Sequence, residues 1–109
     1  MIGSVQAHKE KLFEPLLAAL EPIGAQAFTR RDVAGAADLS PLEGAGVPVF
    51  EPLVDGHAYF NYHHTPADTL DKVSPLELKR HVAVMTSLSW FLANMEQPIG
   101  RTAHQDSED

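Results

Sequence analysis

The sequence predicts an α/β chain with too few elements to close a core of its own. Three observations carry that reading. Residues 74–95 show a capped helical pattern, residues 47–54 form a near-continuous apolar run of strand type, and residues 4–20 form a second helical stretch. Two main helices with two or three short strands cannot bury a helix that is apolar over a wide arc, because that takes two full layers. The chain therefore reads as a piece of a larger domain.

Each element has its own justification. In residues 4–20, Leu12, Leu16, Ala19 and Leu20 share one stripe with Phe13 and Leu17 beside it, which is helical spacing. Pro15 falls inside and predicts a kink or a break, since proline removes one hydrogen bond and crowds the previous turn. Pro22 and Gly24 end the stretch. Residues 26–30 read as a short strand and 31–37 as loop. Residues 47–54, entered through Gly46-Val47-Pro48-Val49-Phe50, suit a strand buried on both faces. With no neighbouring strand in the same chain, such a strand would leave both edges unpaired. Asp55-Gly56 makes a turn, and residues 57–62 lead into a loop. In residues 74–95, Leu78, Val82, Met85, Leu92 and Met95 form a stripe widened by Val84, Leu88 and Phe91, with Trp90 assigned to packing. Residues 1–96 make the domain portion. Residues 97–109 are polar, acidic and aperiodic, and read as a disordered tail.

One local device recurs three times. Ser40-Pro41-Leu42-Glu43, Thr65-Pro66-Ala67-Asp68 and Ser74-Pro75-Leu76-Glu77 each place a hydroxyl at N-cap, proline at the first helical position and an acid at N3. The hydroxyl accepts from an orphan N–H, proline has none to orphan, and the acid returns to the cap. Only the third precedes a long helical pattern. Gly44 and Gly46 stop the first after about a turn, and the second makes a tight turn.

Composition excludes several function classes. At 109 residues with 44% apolar content the chain has enough apolar residues to escape disorder by composition. Its net charge of −7, from 15 acids and 8 bases, argues against nucleic acid or an anionic membrane as partner. No apolar run reaches membrane-spanning length and nothing at the N-terminus resembles a signal peptide; the compartment stays open. Without cysteine, any metal must be held by histidine and carboxylate.

Those ligand types meet in Tyr62-His63-His64-Thr65-Pro66-Ala67-Asp68-Thr69. Neutral imidazole is the commonest zinc ligand, and a carboxylate nearby typically fixes the ligating ring. The loop lies between a strand and a helix start, where chemistry is carried more often than packing. The plainer alternative for His64 is a ring bonded to local backbone. Neighbouring loop residues point apart, so both rings rarely reach one metal, and the plain reading of His63 is an ordinary hydrogen-bonding residue. Asp68 is expected to organise the turn by capping. His57 is read as a surface turn residue and His81 as solvent-facing or at the packed edge of its helix. Tyr59, Phe60 and Tyr62 are read as core or pocket wall.

The same block resembles the C-terminal end of the family-28 zinc metallopeptidases, the di-zinc aminopeptidases and carboxypeptidase Q-like enzymes. The resemblance rests on Gly46-Val47-Pro48, Tyr59-Phe60, Tyr62-His63-His64-Thr65 and Asp68-Thr69-Leu70-Asp71-Lys72-Val73, with an upstream Asp38-Leu39-Ser40-Pro41. It runs over residues 34–94 and more weakly through the first helix. It implies the C-terminal part of a three-layer αβα zinc exopeptidase domain, with His64 as the last zinc ligand in chain order. Asp38 and Asp68 would then support the site from behind the ligands, His63 would polarise a substrate oxyanion, and Tyr59 and Tyr62 would wall the substrate pocket. In the complete enzyme the resemblance implies two zinc ions that acidify a bridging water, a Glu that takes its proton, and attack on a peptide carbonyl. Family members are often secreted or periplasmic.

The family pattern also needs an upstream His-x-Asp, a Glu-Glu pair and a further Asp. This chain has no Glu-Glu, and its one His-x-Asp, His104-Gln105-Asp106, follows the loop instead of preceding it. Three readings follow. The chain is the C-terminal portion of such a peptidase, inactive alone and completed by its missing N-terminal portion or by self-association. Alternatively it is an acidic interaction module retaining a fold fragment, or a small single-histidine metal binder holding at most one weak zinc.

Overall fold

The first three residues, which periodicity left unassigned, form the centre of the sheet. In the computed structural model, β1 (Ile2–Gly3) lies between β2 (Thr29–Arg30) and β3 (Phe50–Glu51). Residues 1–35, 37–53 and 59–102 are described, apart from the side chains of Tyr59 and Phe60. β1 runs parallel to β2, pairing Ile2 with Thr29 and Gly3 with Arg30. It runs antiparallel to β3, pairing Ile2 with Glu51 and Gly3 with Phe50. A parallel pair needs a crossover, and the first helical stretch supplies it. Gly3 is required by space: a Cβ there would come within 2.8 Å of the Phe28 ring and 3.0 Å of the Phe50 ring.

The crossover begins at Ala7 instead of Ser4. Ser4 continues the strand pairing, donating its N–H to Val49 O at 2.9 Å and accepting at Oγ from Val49 N at 2.9 Å. Residues Ala7–Phe13 form a 3-10 helix that passes into α1 (Glu14–Leu20). Pro15 explains the change of winding. Its nitrogen cannot donate to Lys11 O, and that carbonyl takes the N–H of Glu14 one residue earlier. A last 3-10 turn, Glu21–Ile23, ends at Gly24 with φ 75°.

The expected strand over residues 47–54 is shorter and less buried. Val49 is buried, Val47 and Leu53 are exposed, and β3 holds only two residues. Its backbone is paired on the β1 side, so the expectation of unpaired edges on both sides is corrected. Val54 and the Asp55-Gly56 turn, with His57, lie outside the described residues.

Downstream come α2 (Ser40–Gly44), α3 (Tyr59–Tyr62) and α4 (Pro75–Ala93). α4 starts as expected, with Ser74 extended and its Oγ accepting from Glu77 N at 3.3 Å. Its buried stripe is not the expected leading one. Val84 and Leu88 are buried, with Phe91 and Leu92 half-buried beside them, against α1 and the sheet. Leu78, Val82 and Met85 are exposed by 51%, 54% and 42%, and Trp90, assigned to packing, is 72% exposed. The apolar arc of α4 is wider than the side it buries.

The core centres on Phe13, which is fully buried. Its ring centroid lies 5.1 Å from Phe28, 5.4 Å from Phe50 and 5.4 Å from Phe91. One side chain thus joins the crossover, the sheet and α4. The thinnest dimension of the molecule is 19 Å, close to one sheet plus one layer of helices of roughly 10 Å diameter. Residues 98–102, assigned to the tail from sequence, bond back to the body, while 103–109 lie outside the described residues.

Candidate functional site

The loop between β3 and α4 takes its shape from short-range hydrogen bonds. After α3, Thr65 turns the chain back, donating its N–H at 3.0 Å and its hydroxyl at 2.6 Å to Tyr62 O. Asp68 N–H donates to Thr65 O at 3.1 Å, which closes the expected tight turn. Asp68 enters the turn through its backbone, and its side chain is exposed. A 3-10 turn, Leu70–Lys72, then leads to the Ser74 cap.

His63 and His64 sit on this turn with ring centroids 3.7 Å apart and planes inclined at 45°. His64 is exposed and His63 half-buried. His64 is the one described non-glycine residue with positive φ, at 54°. That conformation crowds Cβ and is uncommon outside glycine, although histidine is among the residues enriched there. The turn spends backbone strain to hold this residue in place.

Beside the histidines lies a small charged network. Lys72 Nζ stands 5.4 Å from the Tyr62 ring centroid and 2.7 Å from the Asp71 carboxylate. Thr69 Oγ1 donates to the other Asp71 oxygen and lies 3.3 Å from Ala67 O. The Lys72 ammonium, then the Thr69 hydroxyl, hold the Asp71 carboxyl below the usual range. Lys72 thereby braces Tyr62, the aromatic residue next to the histidines, by a cation–π contact. The signal was legible as Thr69-x-Asp71-Lys72 but is shared by many surface turns.

The other predicted residues are spread more widely. Asp38 is exposed on the 3-10 turn Ala37–Leu39, on the segment before β3. The loop preceding it is fixed by Glu43, a buried acid whose carboxylate accepts from Ala34 N at 2.6 Å and Gly35 N at 3.3 Å. Ser40, expected as an N-cap, is already inside α2 and donates instead to Ala37 O at 2.8 Å. Tyr59 opens α3, and its side chain lies outside the description. His81 is half-buried at the edge of a cavity of about 680 Å³ that Pro52 and Leu53 share with Glu77 and Arg80. This cavity lies between the two ends of the histidine loop.

Zinc takes three or four protein ligands. Among the described residues no group of three or more His, Asp or Glu side chains could hold a metal ion. Among the described residues, the His63–His64 pair therefore does not make a zinc centre by itself. The described residues also contain no helix long and apolar enough to cross a membrane.

The paired histidines thus lie on the loop between the edge strand β3 and the capped helix α4 of an α/β body. The sequence model of Peptidase family M28 matches residues 1–89, and the chain belongs to that family. Human carboxypeptidase Q is 34% identical over 58 residues, which is 53% of this chain and 12% of that protein. Carboxypeptidase Q of Pongo abelii matches to the same extent, and that of Xenopus laevis is 33% identical over 70 residues, 64% of this chain and 15% of its own. The chain thus spans about an eighth of the length of these relatives. No solved structure matches it.

Proposed function

We propose that this chain is the C-terminal segment of a family-28 zinc exopeptidase domain, hydrolysing peptide bonds only when the remaining ligands and a general base are supplied from elsewhere. The observation that carries this reading is the family match over residues 1–89, which takes in the loop that holds His64 at φ 54°. In a complete domain His64 would give one imidazole to one of two zinc ions, and His63 and Tyr62 would face the substrate. Tyr59 would extend the pocket wall, and Asp38 and Asp68 would support the ligands from behind. Peptides are the proposed substrate class. The uncovered face of α4 at Leu78, Val82 and Met85 supports a missing partner, which is the rest of the domain or, failing that, a second copy of the chain.

The test is a peptidase assay on the purified chain with added zinc, using aminoacyl and dipeptide reporters. The proposal expects no turnover above the His64→Ala variant. Zinc-dependent turnover that His64→Ala abolishes would show that the chain holds a complete site. A second reading, an acidic interaction module without catalysis, is favoured by the hydrogen bonding of residues 99–102, which lie beyond the family match.

A further inference from the structure

Beyond the end of α4 the chain doubles back across the molecule. Gln6 Nε2 donates to Arg101 O at 2.8 Å, and Lys9 Nζ donates to Ile99 O. On the other side Arg101 Nη1 donates to Ala45 O at 3.0 Å, and Thr102 N donates to Gly46 O at 2.9 Å. Ile99 is half-buried and packs against the main core. Gly100 allows the bend: its φ is 80°, and a Cβ there would lie 2.9 Å from Lys9 Nζ. These residues fall outside the family match, which ends at residue 89.

The two places joined are mechanically important. Gln6 and Lys9 follow β1, and Ala45 and Gly46 precede β3, so the crossing segment ties together the outgoing end of one strand and the incoming end of its partner. Between those ends lie three bonds of the β1–β3 seam, Ser4 N to Val49 O, Val49 N to Ser4 Oγ, and the longer Ser4 Oγ to Val49 O contact at 3.5 Å. With strands only two residues long, so short a ladder has little cohesion of its own.

We infer that residues 98–102 are a clasp that locks β1 to β3 and so fixes the anchorage of the histidine loop, while the α1–α4 pair stands without it. Opening the clasp frees the strand that feeds the loop but leaves the helices protected, a local opening and not global unfolding.

Amide hydrogen exchange tests this on four forms: the full chain, a chain ending at Thr102, a chain ending at Gln97, and Gly100→Ala in the full chain. The last keeps Ile99, forces the bend out of its left-handed conformation and crowds Lys9 Nζ, the donor to Ile99 O. We expect the amides of Ser4 and Val49 to exchange at least tenfold faster in Gly100→Ala and in the chain ending at Gln97. In Gly100→Ala, where Ile99 remains, the amides of Val84 and Leu88 should change less than twofold, and the chain ending at Thr102 should behave as the full chain. Unchanged exchange at Ser4 and Val49 would overturn the inference. So would equal loss of protection in α4 of Gly100→Ala, which would mean a general loss of stability, or equal effects in the chain ending at Thr102, which would place the clasp elsewhere.

Discussion

His64 and Lys72 show how the loop is fixed one side chain at a time. A left-handed histidine carries a conformational cost of order 1–2 kcal/mol, and nothing in the turn beyond the ring itself demands a side chain at that φ. His64→Gly should therefore raise stability or leave it unchanged, by up to about 1 kcal/mol, in urea unfolding. A loss of more than about 1 kcal/mol would mean that the ring packs structurally. Lys72 acts on charge. The Asp71 carboxyl, lowered first by the Lys72 ammonium, stabilises the fold above its unfolded value, and that contribution is lost as pH falls through the lowered one. In Lys72→Met the carboxyl should titrate at higher pH, back toward the ordinary range, as read by carboxyl carbon NMR; an unmoved titration would contradict the pairing. At this scale the sequence exposed His64 through its motif. It could not show the left-handed conformation, because histidine, although enriched there, adopts it far less readily than glycine.

The tetrapeptide Ser-Pro-Leu-Glu occurs twice and folds two ways, which marks the limit of local reading. At residues 74–77 the serine is extended and caps α4; at 40–43 the 3-10 turn Ala37–Leu39 runs straight into α2, so Ser40 is already helical. Glu43 is drawn to the Ala34 and Gly35 amides, and Glu77 to Arg80 at 3.0 Å. Ser74→Ala should accordingly cost about 1 kcal/mol, against less than about 0.5 kcal/mol for Ser40→Ala, both measured by denaturant melts. Equal losses would contradict the cap assignment. Phe13 is the corresponding hub for packing. Truncating it to alanine removes contacts to Phe28, Phe50 and Phe91 together, and should cost about 3–5 kcal/mol. Both helices were legible from periodicity and caps. β1 was not, because two residues at a chain end have no period, and the choice of buried stripe on α4 depends on partners that lie far away in sequence.

Taken whole, the molecule is a sheet with one helical layer, 19 Å at its thinnest, and its longest helix is covered on one side. Exposed Leu78, Val82 and Met85 form a contiguous apolar strip of the kind that marks an interaction surface. The purified chain should associate with rising concentration in analytical ultracentrifugation, and Leu78→Glu with Met85→Glu should return it toward monomer. A wild-type chain that stays monomeric throughout would argue that the strip is tolerated as it stands. The sequence placed the open surface on both the strand at residues 47–54 and the helix at residues 74–95; β3 is paired on its β1 side, and on α4 Leu78, Val82 and Met85 are exposed. The central claim, that His64 is one ligand of a metal site this chain does not complete, is met most directly by zinc calorimetry on the wild type and His64→Ala. Imidazoles without clustered carboxylates should bind zinc only at micromolar levels or weaker, and His64→Ala should abolish that binding. Tight one-to-one binding at nanomolar levels, or binding indifferent to His64→Ala, would contradict it.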